Sequence, residues 1–149
     1  MKEYKVTIPE LSLKYKTSET KKIKITSPKD TYNYAKELFD ADLIEYREEV
    51  IVIFCNRANN TTGFMKISSG GVAGSIVDNK MILSSALLAG SSNILLAHNH
   101  PSNNTEPSSS DKHITEKLKD AANLLDINLL DHVIVGSDSY FSFAEEGLI

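Results

Sequence analysis

The chain holds one cysteine, Cys55, no tryptophan and only four prolines in 149 residues. A single thiol excludes an internal disulfide and any cysteine-rich zinc module, and it fits a reducing compartment. No stretch approaches the roughly 18 unbroken apolar residues that a membrane span requires, and the opening Met1-Lys2-Glu3-Tyr4-Lys5-Val6 has no apolar h-region. The expectation is a cytoplasmic protein without a membrane partner. Internal repeats, low-complexity tracts and linkers are equally missing. Gly70, Gly71 and Gly74 lack both the Gly-x-Gly-x-x-Gly spacing and a phosphate-loop lysine, which argues against a nucleotide site.

What the chain does have is one domain's length and 41% apolar residues, enough for a packed core. Its net charge of -4 is unevenly spread. Residues 1–30 carry eight lysines against four acids, and the remainder carries eight basic and sixteen acidic residues. Lys21-Lys22-Ile23-Lys24-Ile25 alternates like the solvent face of an edge strand, so residues 1–27 read as an extension with an edge strand rather than a phosphate-binding arm. Such a strand could pair with a second copy of the chain, making a homo-oligomer. The acidic body argues against tight, sequence-independent DNA binding, because that affinity comes mainly from phosphate neutralisation.

Lys22 to Thr26 reads as a short strand. Ser27-Pro28-Lys29-Asp30 supplies a cap, a first-turn proline and an acid for a helix to about Phe39. Val50 to Cys55 is an unbroken, β-branched apolar run, as in a strand buried on both faces. Asn56 to Asn60 is turn chemistry, Thr62 to Ile67 the returning strand, and Ser68-Ser69-Gly70-Gly71 its expected end. Asp78 caps a helix over about Lys80 to Leu88 that Gly90 closes. Asn93 to Ala97 is another buried strand, running into His98-Asn99-His100. After a polar loop, Ser108 to Asp111 opens a helix to about Leu125, with Ile114, Leu118, Ala121, Ala122 and Leu125 at helical spacing. Leu129 to Val135 and Tyr140 to Phe143 read as two last strands. The result is a single α/β (α+β) domain with helices packed on a sheet.

The chemistry concentrates in His98-Asn99-His100 and the loop after it. Residues two apart on an extended backbone project to one side, so His98 and His100 form a chelating pair. Asp111, from the first turn of the next helix, can return as a third, anionic ligand and leave a fourth tetrahedral position for water, the pattern of a catalytic zinc site. A His-x-His alone arises by chance about once in ten such chains, but adding Ser108 and Asp111 at their offsets lowers that to the order of one in a thousand. Both residues also suit a helix cap, and that reading is compatible with the chemical one.

This His-x-His, seven residues, Ser, two residues, Asp spacing resembles the JAMM (MPN-plus) metalloprotease motif. His98-Asn99-His100-Pro101-Ser102 and Leu129-Leu130-Asp131-His132 are similar to its bacterial RadC branch, over about residues 28–149. The resemblance implies a three-layer JAMM/MPN-like (cytidine deaminase-like) domain with a central mixed sheet flanked by helices. It implies zinc held by His98, His100 and Asp111, with Ser108 supporting the carbonyl oxygen of the scissile bond or the zinc water. It also implies an upstream Glu before a buried strand, and the family's eight-residue spacing to Asn56 selects Glu48 over Glu49. The implied activity is a zinc metallopeptidase acting on a peptide or isopeptide-linked protein. The family also carries a DNA-repair label, so the alternative is a DNA repair accessory protein without protease turnover that contacts nucleic acid through the early lysines. Full-length RadC proteins usually add a helix-hairpin-helix region, and the 27 residues ahead of the likeness are too few to hold it. Where most relatives have Gly after Pro-Ser this chain has Asn103, which tolerates left-handed backbone.

The other candidates have plainer roles. Glu106 reads as a loop acid, Glu116 and His113 as solvent-side helix residues, His132 as a structural hydrogen-bonding strand residue and Cys55 as inert filling. A zinc deaminase is excluded, since its Pro-Cys-x-x-Cys needs two cysteines.

Overall fold

The structure is a computed structural model that describes residues 9–10, 21–69 and 77–149. Most of the 1–27 extension and the Gly70-Gly71-Gly74 segment lie outside the described residues. Helix α1 spans Pro28–Leu38, strand β1 Glu49–Cys55, β2 Thr61–Ser69, helix α2 Asn79–Leu88, β3 Asn93–Asn99, helix α3 Ser109–Leu124, β4 Asn128–Val135 and β5 Tyr140–Ser142. The strands form one mixed sheet in the order β2-β1-β3-β4-β5, in which only β3 and β4 run parallel.

Each helix starts where its sequence can satisfy the first free N–H groups. Ser27 with Asp30, and Ser108 with Asp111, form reciprocal capping boxes, and Asp78 accepts from Lys80 N and Met81 N. Strands β1 and β3 are buried at every position because helices cover both faces of the sheet. On one face Val50, Val52, Phe54, Ile94 and Leu96 pack with Ile82 and Ala86 of α2 and Leu118 and Ala122 of α3. On the other, Ile51, Ile53, Leu95 and Ala97 pack with Tyr32 and Ala35 of α1. Burying a Val, Leu or Ile side chain contributes about 1.5–3 kcal/mol, so these two central strands anchor a three-layer α+β domain.

Three local expectations differ. Lys22 to Thr26 is not a strand: it makes one bridge, Lys24 to Asn60, beside the bonds Ile25 N to Asn59 O and Thr61 N to Ile23 O. Strand β2 does not stop before Ser68, because Ser68 pairs with Val50 and Ser69 with Glu49. The buried face of α3 is Thr115, Leu118 and Ala122, and Leu125 is exposed where it caps the end of the helix. No described helix is long and apolar enough to cross a membrane.

The topology collects polar residues at one end of the sheet. The C-terminal end of β3, the N-terminal end of β1 and the first turn of α3 all arrive there.

Candidate metal centre

His98 lies opposite Val50 across the β1–β3 pairing, and Val50 faces α2 and α3. Glu48 stands two residues before Val50, and His100 two residues after His98, so the pleat turns all three toward the face that α3 covers. The first turn of α3 brings Asp111 to the same place, where the capping box holds it: its Oδ2 accepts from Ser108 N at 2.8 Å.

The four side chains converge, with one potential ligand atom from each lying within 4.8 Å of the others. His98 Nε2 and His100 Nε2 are 2.9 Å apart. Asp111 places Oδ1 3.4 Å from His98 Nε2 and Oδ2 3.4 Å from His100 Nε2, and Glu48 Oε1 is 3.7 Å from His98 Nε2. Neighbouring ligands on a zinc tetrahedron with bonds of about 2.0–2.1 Å stand about 3.3 Å apart, and the separations among the two imidazoles and the Asp111 carboxylate are of that order. His98 is 3% exposed, and the other three are partly buried at under 20% exposed each.

Charge follows the same pattern. Burial pushes the Asp111 carboxyl up, but the imidazoles of His100 and His98 beside it and the bond from Ser108 N outweigh it and hold the group far below the usual carboxylate range. The hydrogen bond with Asp111 raises His100 above an ordinary histidine, against the opposing effect of burial. A pocket of this kind, with two imidazoles and two carboxylates on one point, suits a divalent cation.

The other predicted residues fall into place around it. Ser108 caps α3, its Oγ accepting from Asp111 N at 3.0 Å. Glu49 points away and is buried in ion pairs with Arg47 at 3.2 Å and Lys66 at 3.0 Å. Glu106, Glu116 and His113 are exposed, and Cys55 is buried with its thiol pushed up to about 11 by burial. His132 of β4 makes hydrogen bonds, as expected of a buried strand histidine, and one of them reaches the centre: its Nε2 is 2.6 Å from His98 Nδ1. On its other side Nδ1 is 2.6 Å from Thr115 Oγ1. Phe143 stacks on its ring, with centroids 4.6 Å apart.

Two residues were missed. Asn99, between the two histidines and fully buried, accepts from Glu49 N at 2.7 Å and donates to the carbonyls of Ile44 and Arg47 at 2.6 and 2.9 Å, tying down the turn that carries Glu48. Its polarity inside an otherwise apolar strand was the available signal. Thr115 was missed too, although it sits four residues after Asp111, on the same face of α3. Asn103 adopts φ 62° as its identity suggested, and its Oδ1 accepts from Ser137 N at 3.0 Å, pinning the loop after His100 to the β4–β5 turn.

Comparison with known proteins agrees with this geometry. Residues 25–148 match the family described as RadC-like JAB domain. A UPF0758 protein of Flavobacterium johnsoniae is 39% identical over 84% of this chain and 53% of its own length. UPF0758 proteins of Aquifex aeolicus and Chlorobium luteolum are 35% and 33% identical over 94% and 97% of this chain, and 58% and 63% of their own lengths. The chain thus spans little more than half the length of these relatives.

Proposed function

The chain belongs to the RadC-like JAB domain family, and from that premise we propose that it is a zinc-dependent hydrolase of amide bonds, acting on a peptide or isopeptide-linked protein. The observation that carries this reading is the convergence of Glu48, His98, His100 and Asp111 on one point at the end of the sheet. Zinc bound by His98, His100 and Asp111 would supply Lewis acidity, polarising a substrate carbonyl and acidifying water. Glu48, partly exposed at the mouth of the site, takes the proton from the attacking water and returns it to the leaving amine. Ser108 spends its oxygen lone pair on Asp111 N–H, which leaves its hydroxyl proton free to donate to the developing oxyanion.

The test is hydrolysis of a panel of peptides and isopeptides by the zinc-loaded chain beside Glu48→Gln. Turnover in the parent, lost by about 100-fold or more in the variant while zinc stays bound, is the expected result. Full activity in Glu48→Gln removes Glu48 from the mechanism. No cleavage of any amide by the loaded parent overturns the hydrolase reading.

A further inference from the structure

The histidines at the centre differ in how their outer nitrogens are held. His100 Nδ1 lies 2.6 Å from the carbonyl of Asn104. A carbonyl only accepts, so His100 carries a proton on Nδ1 and leaves Nε2 as the nitrogen that faces Asp111. His98, at the buried end of β3, has no such carbonyl. Its Nδ1 meets His132 instead, and another histidine can either donate or accept.

The ambiguity is resolved three groups further on. Thr115 Oγ1 is 2.6 Å from the backbone carbonyl of Asp111, so its one proton goes there. Its oxygen is left as an acceptor toward His132 Nδ1 at 2.6 Å, which places the His132 proton on Nδ1. His132 is fully buried and its ring nitrogens meet only Thr115 and His98, so a charged imidazole there would have no anionic hydrogen-bond partner and the ring stays neutral. His132 Nε2 is therefore an acceptor, and the proton between the two rings belongs to His98 Nδ1. The series starts at the backbone of Asp111 and ends at His98 Nε2, 3.4 Å from that residue's carboxylate.

We propose that Thr115 and His132 are positioning residues that lock His98 in the Nδ1–H tautomer and so preset its Nε2 as a metal ligand. The inference rests on the metal-centre reading above and deepens it. Outer partners of this type change metal affinity by about 10–100-fold when removed. Because the series closes on the helix that supplies Asp111, one ligand's backbone sets the protonation of another.

The experiment measures zinc affinity by chelator competition for the parent chain, Thr115→Val and Thr115→Ser, with imidazole nitrogen NMR of the zinc-free proteins. Val keeps the shape and removes the hydroxyl, and Ser restores it. The expected result is a roughly 10-fold or greater loss of affinity in T115V and near-parent affinity in T115S, with His98 and His132 as Nδ1–H tautomers in the parent and a mixture in T115V. A parent His98 protonated on Nε2 overturns the proposal without any variant, as does T115V binding zinc as tightly as the parent. A parent chain that takes up no zinc overturns the metal reading itself, a failure separate from that of the relay.

Discussion

The central sheet has two polar ends, and they solve the same problem in opposite ways. At the start of β3, Asn93 donates to the Asn59 side chain at 2.6 Å and to the carbonyl of Asn56 at 3.3 Å, and accepts from Asn128 at 3.1 Å. Asn56 in turn accepts from Ala58 N and Asn60 N. Amides carry both donors and acceptors, so they answer one another without any other group. At the end of β3 two imidazoles and two carboxylates converge within 4.8 Å, a set that can aim four lone pairs at one point. Polarity at a sheet end is therefore no guide to chemistry, whereas an unbalanced set of acceptors is.

The largest effect that separates the two ends comes from Asp111→Ala. Metal content by mass spectrometry on gently purified protein should fall from about one zinc per chain to none, since the two imidazoles lose their anionic partner. A variant that keeps its zinc would break the comparison. At the other end, Asn93→Ala removes a buried amide with three hydrogen bonds and should cost about 1–3 kcal/mol in urea unfolding, with zinc content unchanged. Loss of zinc in that variant would mean that the two ends are not independent.

A third group sharpens the distinction. Asp131 is a buried carboxylate too, but three donors answer it: Ser142 Oγ at 2.6 Å, His132 N at 2.7 Å and Ala144 N at 3.0 Å. Burial still dominates and raises its pKa above the ordinary 3.8. A carboxyl raised in the folded state gives stability that is full below the unfolded value and is lost as pH climbs through the folded one. The deficit of Asp131→Asn relative to the parent should accordingly shrink between pH 4 and pH 7, the smallest of these effects. A deficit that grows over that range would reverse the assignment.

Much of this was written locally in the chain. The run Val50 to Cys55, the paired caps Ser27–Asp30 and Ser108–Asp111, and the alternation that brings His98 and His100 to one face each depend on residues a few positions apart. The errors and omissions share the opposite property. Lys22 to Thr26 alternates like a strand but touches the sheet at one bridge, a matter of where Asn60 lies and not of its own pattern. His132 and Thr115 reach His98 only because β4 pairs in parallel beside β3 and α3 crosses over both, across separations of 34 and 17 residues. Asn99 acts on a turn more than 50 residues upstream. Spacing within one segment shows which residues can share a face, and the tertiary partners decide what each does there.

Asn99 also has a mechanical meaning. It is fastened to the backbone between His98 and His100, while its side chain grips Ile44, Arg47 and Glu49 on either side of Glu48. Thermal displacement of the end of β3 therefore carries the acid along with both imidazoles, and the motion is shared rather than relative. The separation between Glu48 and the two imidazoles is set by the length of one short, branched amide and tolerates swaying of the surrounding loops.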